Sequence, residues 1–188
     1  MPRVTHVKKA QKDNPVCKKG ESYYWWKFRY GGKRYSLTRP KASQLTQSAY
    51  YGSLYEVEER IAEEACGTAE EMEALRDEIS EEIRNIGQEC QDSLDNMPDS
   101  LQQGPTGELL QERIDACDGA ADEIESIDID IEFEAEEMDD DPEWDETERE
   151  EAIENHRAEE EEREANELID WLDEKRTEMT EAIGNCHV

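Results

Sequence analysis

Apolar positions along this chain change their period from one segment to the next. Between Tyr23 and Thr38 they crowd into Tyr23-Tyr24-Trp25-Trp26-Lys27-Phe28-Arg29-Tyr30, then Gly31-Gly32, then Lys33-Arg34-Tyr35-Ser36-Leu37-Thr38. Aromatic strand formers on both sides of a glycine pair predict a β-hairpin with a two-residue turn, ended by Pro40. With Gly31-Gly32 as the loop, Tyr30 faces Lys33, Phe28 faces Tyr35 and Trp26 faces Leu37. Those residues and Tyr24 make one apolar face. The other carries Trp25, Lys27, Arg29, Arg34, Ser36 and Thr38, with Arg29 directly opposite Arg34. Like charges so placed destabilise a bare hairpin, which fits a face that meets something anionic.

A two-stranded hairpin is marginal alone and must cover its aromatic face. The next segment supplies the cover: Ser43 is placed to cap a helix running to about Ala65, with Leu45, Tyr50, Tyr51, Leu54, Tyr55, Val57 and Ile61 as its stripe. Cys66-Gly67-Thr68 ends it, and Thr68 with Glu71 has the spacing of a capping box. Met72, Leu75, Ile79, Ile83, Ile86, Cys90, Leu94 and Met97 then step by threes and fours until Pro98. After a loop at Gln102–Gly107, the same period resumes in Leu110, Ile114, Cys117, Ala121, Ile124 and Ile127. Two narrow-striped helices on a short loop should pack antiparallel, stripe to stripe. Ile127–Phe133 alternates with period two and reads equally as a short strand or as helix running on. From Thr147 the pattern is helical again, ending in Leu168, Ile169, Trp171, Leu172, Met179 and Ile183 before Gly184.

The architecture expected is therefore α+β and mostly α: a small N-terminal β-hairpin packed on a helix, followed by long acidic helices in an antiparallel bundle or coiled coil. Four segments follow: a flexible basic arm at 1–20, broken by Pro2 and Pro15; the hairpin and helix at 21–66; a helical hairpin at 67–131; and an acidic segment with a C-terminal helix at 132–188. The narrow stripes favour a homo-oligomer, most simply a dimer.

Charge sharpens this picture. The 188 residues carry 52 Asp and Glu against 21 Lys and Arg, a net charge of -31, and only 35% are hydrophobic. That is well below the roughly 45–50% of ordinary domains, and argues against one large core. The imbalance is segregated. Residues 1–45 hold twelve basic side chains opposed only by Asp13 and Glu21, whereas the remaining 143 residues hold 9 basic and 50 acidic ones. Such asymmetry suggests different partners for each half, or contact between the halves.

Several classes fall away. No apolar run approaches the roughly 20 residues of a membrane span, so no membrane partner is expected. The basic opening has no hydrophobic segment behind it and is not a secretory leader. Five widely spaced cysteines (Cys17, Cys66, Cys90, Cys117, Cys186) are not a disulfide framework, and a reducing cytoplasm is the expected setting. His6, Cys17, Cys186 and His187 would be a zinc set in principle, but nothing pairs them at short spacing. No metal or other cofactor is expected. The three histidines offer no triad with a Ser or Cys nucleophile, so neither an enzyme nor a small-molecule substrate is expected.

What the basic segment offers is phosphate binding. Trp25, Lys27, Arg29, Lys33, Arg34 and Arg39 are the candidate residues, since cations release counterions from phosphates and tryptophan stacks on bases. A two-stranded ribbon also fits the major groove of B-form DNA. The competing expectation is that these cations pair with the protein's own acidic helices.

The run Trp-Lys-Phe-Arg-Tyr-Gly-Gly-Lys-Arg-Tyr-Ser within Tyr24–Leu37 is similar to the arm-binding N-terminal modules of phage tyrosine recombinases, and the opening through Gln47 looks like uncharacterised proteins of tailed bacteriophages. The resemblance covers about 40 of the 188 residues. It implies a small sheet on a helix, a DNA contact and, for a phage-encoded protein, the cytoplasm of a bacterial host. No Arg/His/Tyr catalytic set follows, so the family's chemistry is not implied. The leading expectation is a non-enzymatic, phage-type accessory protein that binds nucleic acid through its hairpin and assembles through its acidic helices. Residues 132–164 hold 19 Asp and Glu against three arginines. Such a helix is a solvated face or a DNA mimic whose partner is a basic DNA-binding protein such as a host nuclease. A structural protein with charge-complementary halves is the third expectation.

Overall fold

The computed structural model describes residues 1–134 and 146–188. Three strands, β1 (Thr5–Val7), β2 (Tyr23–Lys27) and β3 (Lys33–Ser36), form an antiparallel sheet in the order β1-β2-β3. A 3-10 turn at Ser43–Leu45 leads to α1 (Ala49–Glu63), α2 (Ala69–Asp95), the single turn α3 (Asp99–Gln102), α4 (Pro105–Glu125) and α5 (Glu146–Gly184). The fold is α+β and mostly α. Two compact units divide the chain: Met1–Arg60 with His187, and Ile61–Cys186 with Val188.

In the first unit the expected irregular arm instead contributes β1. Thr5, His6 and Val7 pair with Trp25, Tyr24 and Tyr23, and the His6 ring stacks on Tyr24 at 4.4 Å and 13°. This gives the hairpin the third strand that independent stability requires. The connecting loop is closed by local bonds. The Ala10 amide donates to the Glu21 carbonyl at 2.8 Å and the Gly20 amide to the Ala10 carbonyl at 2.9 Å. Asn14 Oδ1 accepts from the Val16 and Cys17 amides, both at 3.0 Å. Gly20, at φ 101°, supplies the left-handed backbone that this loop needs.

The hairpin register differs from the expected one. Tyr24 pairs with Ser36, Trp25 with Tyr35, Trp26 with Arg34 and Lys27 with Lys33. The connection is therefore Phe28–Gly32, five residues long, not Gly31-Gly32. Neither glycine takes the positive φ that a two-residue primed turn demands. Phe28 leaves the ladder and is buried at 8% exposure. A register shift of odd size flips one strand's faces relative to the other. Trp25, Lys27, Lys33 and Tyr35 thus share one face, while Arg34 and Ser36 join Tyr24 and the buried Trp26 on the other.

Ser43 does not cap a helix. Its hydroxyl donates to Glu59 Oε1 and Oε2 at 3.1 Å, fastening the 3-10 turn to α1. Ser48 takes the capping role, its hydroxyl accepting from the Tyr51 amide at 3.4 Å. Tyr50, Leu54 and Val57 are the buried part of the α1 stripe in this unit.

The second unit follows its apolar period. The Thr68 hydroxyl accepts the Glu71 amide at 3.2 Å, and Glu71 reaches back to the Gly67 amide at 2.7 Å. Met72, Leu75, Ile79, Ile83, Ile86 and Cys90 of α2 are buried, as are Ile114, Cys117, Ala120, Ala121 and Ile124 of α4. The two helices run antiparallel, since Arg84 meets Asp122 and Glu125 whereas Gly87 meets Ile114 and Cys117. From α5, Leu172, Met179, Ala182 and Ile183 complete the core, followed by Cys186. Residues 127–133 settle as neither strand nor helix. Ile127 and Ile129 are buried and Asp128 and Asp130 exposed, but no ladder forms. Arg76 Nη1 holds the Ile127 carbonyl instead, at 3.1 Å.

Candidate nucleic-acid interface

The cationic end of the sheet is built by β2, β3 and their loop. Lys27 and Lys33 lie directly opposite each other at the last rung of the ladder. The like-charge pair expected at Arg29 and Arg34 is thus found at these two lysines. Lys33 Nζ leans over the Trp25 ring at 4.4 Å, a cation–π contact that offsets part of the cost of placing two lysines opposite each other. Arg29 sits in the loop over the Tyr30 ring at 5.3 Å, and Tyr30 itself is 79% exposed. Arg34, on the opposite face, lies over Phe28 at 5.4 Å.

Lys27, Arg29, Lys33, Arg34 and Arg39 are all exposed, and Trp25 is half-buried. Among the described residues, none of these five cations makes an ion pair with a carboxylate. The two acidic residues of the segment are occupied locally: Glu21 accepts from the Lys18 amide and Asp13 from the Lys19 amide, both at 2.7 Å.

Two hollows flank the end of the hairpin. One, about 480 Å³, includes Lys27 and Arg29 with Gln47, Tyr51 and Tyr55. The other, about 460 Å³, includes Lys33 and Arg34 with Trp26, Tyr35 and Gln44. Trp25 and Arg39 line neither. Four of the six candidate residues therefore fall into two pairs, while Trp25 lies on β2 and Arg39 beyond β3.

Sequence reasoning missed Tyr51, Tyr55 and His187. The tyrosines are one helical turn apart and were assigned to the covered stripe of α1, yet both are half-buried and line the first hollow. His187 stacks on Tyr51 at 5.9 Å and 11° and tilts against Tyr55 at 5.3 Å. Its Nε2 is 2.8 Å from Glu58 Oε1. No local signal ties residue 187 to residue 51; only the fold does.

The acidic candidate is α5. Between Glu146 and Glu167 it holds eleven glutamates against Arg149, Arg157 and Arg163. Arg157 pairs with Glu161 at 3.1 Å and Arg163 Nη2 donates to the Glu134 carbonyl at 2.8 Å. The 139–142 break and the rest of 135–145 lie outside the described residues. In the helical unit, Arg84 grips both Glu125 and Asp122, the latter at 2.9 Å. The hydrogen bond from Arg84 holds the Glu125 carboxyl below its ordinary range, and Glu125 and Asp122 hold the guanidinium above its own. Burial pushes the Cys66 and Cys90 thiols up. None of the five cysteines is in a disulfide. Among the described residues no three His, Cys, Asp or Glu side chains converge as a metal site requires. No helix among them is long and apolar enough to cross a membrane.

No protein-family pattern, curated protein or solved structure matches the chain.

Proposed function

We propose that this is a non-enzymatic nucleic-acid-binding protein. Its N-terminal unit engages phosphates through Lys27, Arg29, Lys33, Arg34 and Arg39 beside Trp25, and its acidic helices serve assembly. One observation carries the reading. In a chain of net charge -31, these five cations are exposed and lack carboxylate partners among the described residues. Cations left open around one hairpin favour a polyanionic ligand, because each phosphate contact releases condensed counterions. The test is an electrophoretic shift series with the full-length protein and with Lys27, Arg29 and Arg34 replaced together by Ala. Binding should weaken severely in the triple variant; unchanged affinity would reject the assigned residues.

A second reading rests on α5, whose exposed glutamates make a charged rod able to compete with DNA for a basic protein. It predicts that the protein displaces DNA from a purified basic DNA-binding protein. Glutamine at Glu150, Glu151, Glu154, Glu159 and Glu162 should abolish that displacement, and a persistent effect would reject α5 as the mimic.

A further inference from the structure

The two hollows beside the hairpin differ in their walls. The one at Lys27 and Arg29 is bounded on α1 by Tyr51 and Tyr55. Its volume of about 480 Å³ lies within the roughly 300–1,000 Å³ of small-ligand sites. The two phenols are held before any ligand arrives: both contact the His187 ring, and Glu58 tethers His187. Thr46 and Gln47 add a hydroxyl and an amide to the lining. Cations, aromatic rings and neutral polar groups around one concavity suit a single nucleotide. The phosphate goes to Lys27 and Arg29, and the base goes against the tyrosines.

A duplex offers this hollow little. Its bases are stacked above and below and paired at the edge, so a ring-lined concavity fills only if a base leaves the stack, which costs a few kcal/mol. A ribbon reading a groove would also present its cations on one face. Here the register puts Lys27 and Lys33 on one face and Arg34 on the other. Sequence-tolerant stacking of unpaired bases on aromatic side chains needs neither condition.

We infer that the ligand is single-stranded nucleic acid, with one unpaired nucleotide lodged in the hollow between the hairpin loop and α1. This rests on the nucleic-acid reading above and specifies its substrate class.

The test uses the full-length protein and fluorescence anisotropy with labelled 12-residue oligothymidine, the matching oligouridine and a 12-base-pair duplex. Both single strands should bind tighter than the duplex at equal salt. Replacing Tyr51 and Tyr55 together with Ala should weaken single-strand binding about 5- to 160-fold, while the Phe pair keeps the rings and should bind as wild type. Independently of any variant, photocrosslinking wild-type protein to a bromodeoxyuridine strand should label Tyr51 or Tyr55. If the duplex binds as well as the strands and crosslinks map elsewhere, the hollow is overturned while the cationic surface stands. If no nucleic acid binds at any salt, both proposals fall.

Discussion

The salt dependence of binding tests the cationic surface most directly, and its size follows from the side chains available. Five exposed cations, Lys27, Arg29, Lys33, Arg34 and Arg39, have no carboxylate partner among the described residues. If each neutralises one phosphate, log K falls with log salt at about -0.7 per contact on a single strand, or about -3.5 for five. Between 50 and 200 mM salt that is a loss of about 100-fold. Replacing Lys27, Arg29 and Arg34 with Ala leaves two contacts, a slope of about -1.4 and a loss of about 7-fold over the same range. The cation–π contacts of Arg29 and Arg34 do not change this. At exposed positions they are worth only about 0.5–1 kcal/mol and leave the guanidinium donors open. Repulsion from the remaining acidic residues is itself screened by salt, so both slopes should come out shallower than these values. The difference of about two units is unaffected by that repulsion, because the triple variant leaves every carboxylate in place. Anisotropy titrations at five salt concentrations, with circular dichroism to confirm folding, measure it. Equal slopes for the two proteins would refute the surface.

Other outcomes test the helical unit. A Cβ at Gly107 would collide with the Gln102 backbone carbonyl, so Gly107→Ala must shift backbone and should destabilise by about 1–3 kcal/mol in thermal or urea unfolding. Gly119, on the same helix, has nothing within 4 Å of such a Cβ. Gly119→Ala should therefore stabilise by about 0.8–1 kcal/mol, the ordinary helix-propensity gain. Thr68→Ala removes the α2 cap and should cost about 0.5–2 kcal/mol in the same assay. The lowered Glu125 carboxyl gives a pH signature. Its contribution is full above the ordinary value of 4.5 and is lost as pH falls from there through the lower folded value. Urea unfolding from pH 6 down to 3 should show a shallower loss of stability in Arg84→Ala than in the wild type, and superimposable profiles would discount the pairing.

The helical unit was the most legible part. Met72, Leu75, Ile79, Ile83, Ile86 and Cys90 recur at helical spacing, Thr68 and Glu71 bracket the start, and the structure buries that stripe against α4. Cap, period and loop length all point to one packing, so no distant information was needed. The hairpin was legible in kind but not in register. Gly31-Gly32 can make a two-residue turn, yet burial of Phe28 takes it out of the ladder and lengthens the loop to five residues. β1 was illegible, because three residues are too few to show a period and Thr5–Val7 becomes a strand only by pairing with Tyr23–Trp25. The alternation was real in burial from Ile127 to Asp130 but not at Phe133, which is exposed; a strand needs a ladder partner, and a sequence does not say whether one is near.

Charge segregation, helix periods and the supply of cations and aromatic rings near the hairpin were determined by the sequence alone, since composition and local spacing are properties of neighbours along the chain. Which face each cation occupies, that Lys27 and Lys33 stand opposite each other, and that Tyr51, Tyr55 and His187 come together were decided by tertiary structure. Register and ring packing depend on contacts between residues up to 136 positions apart, and no local pattern encodes those.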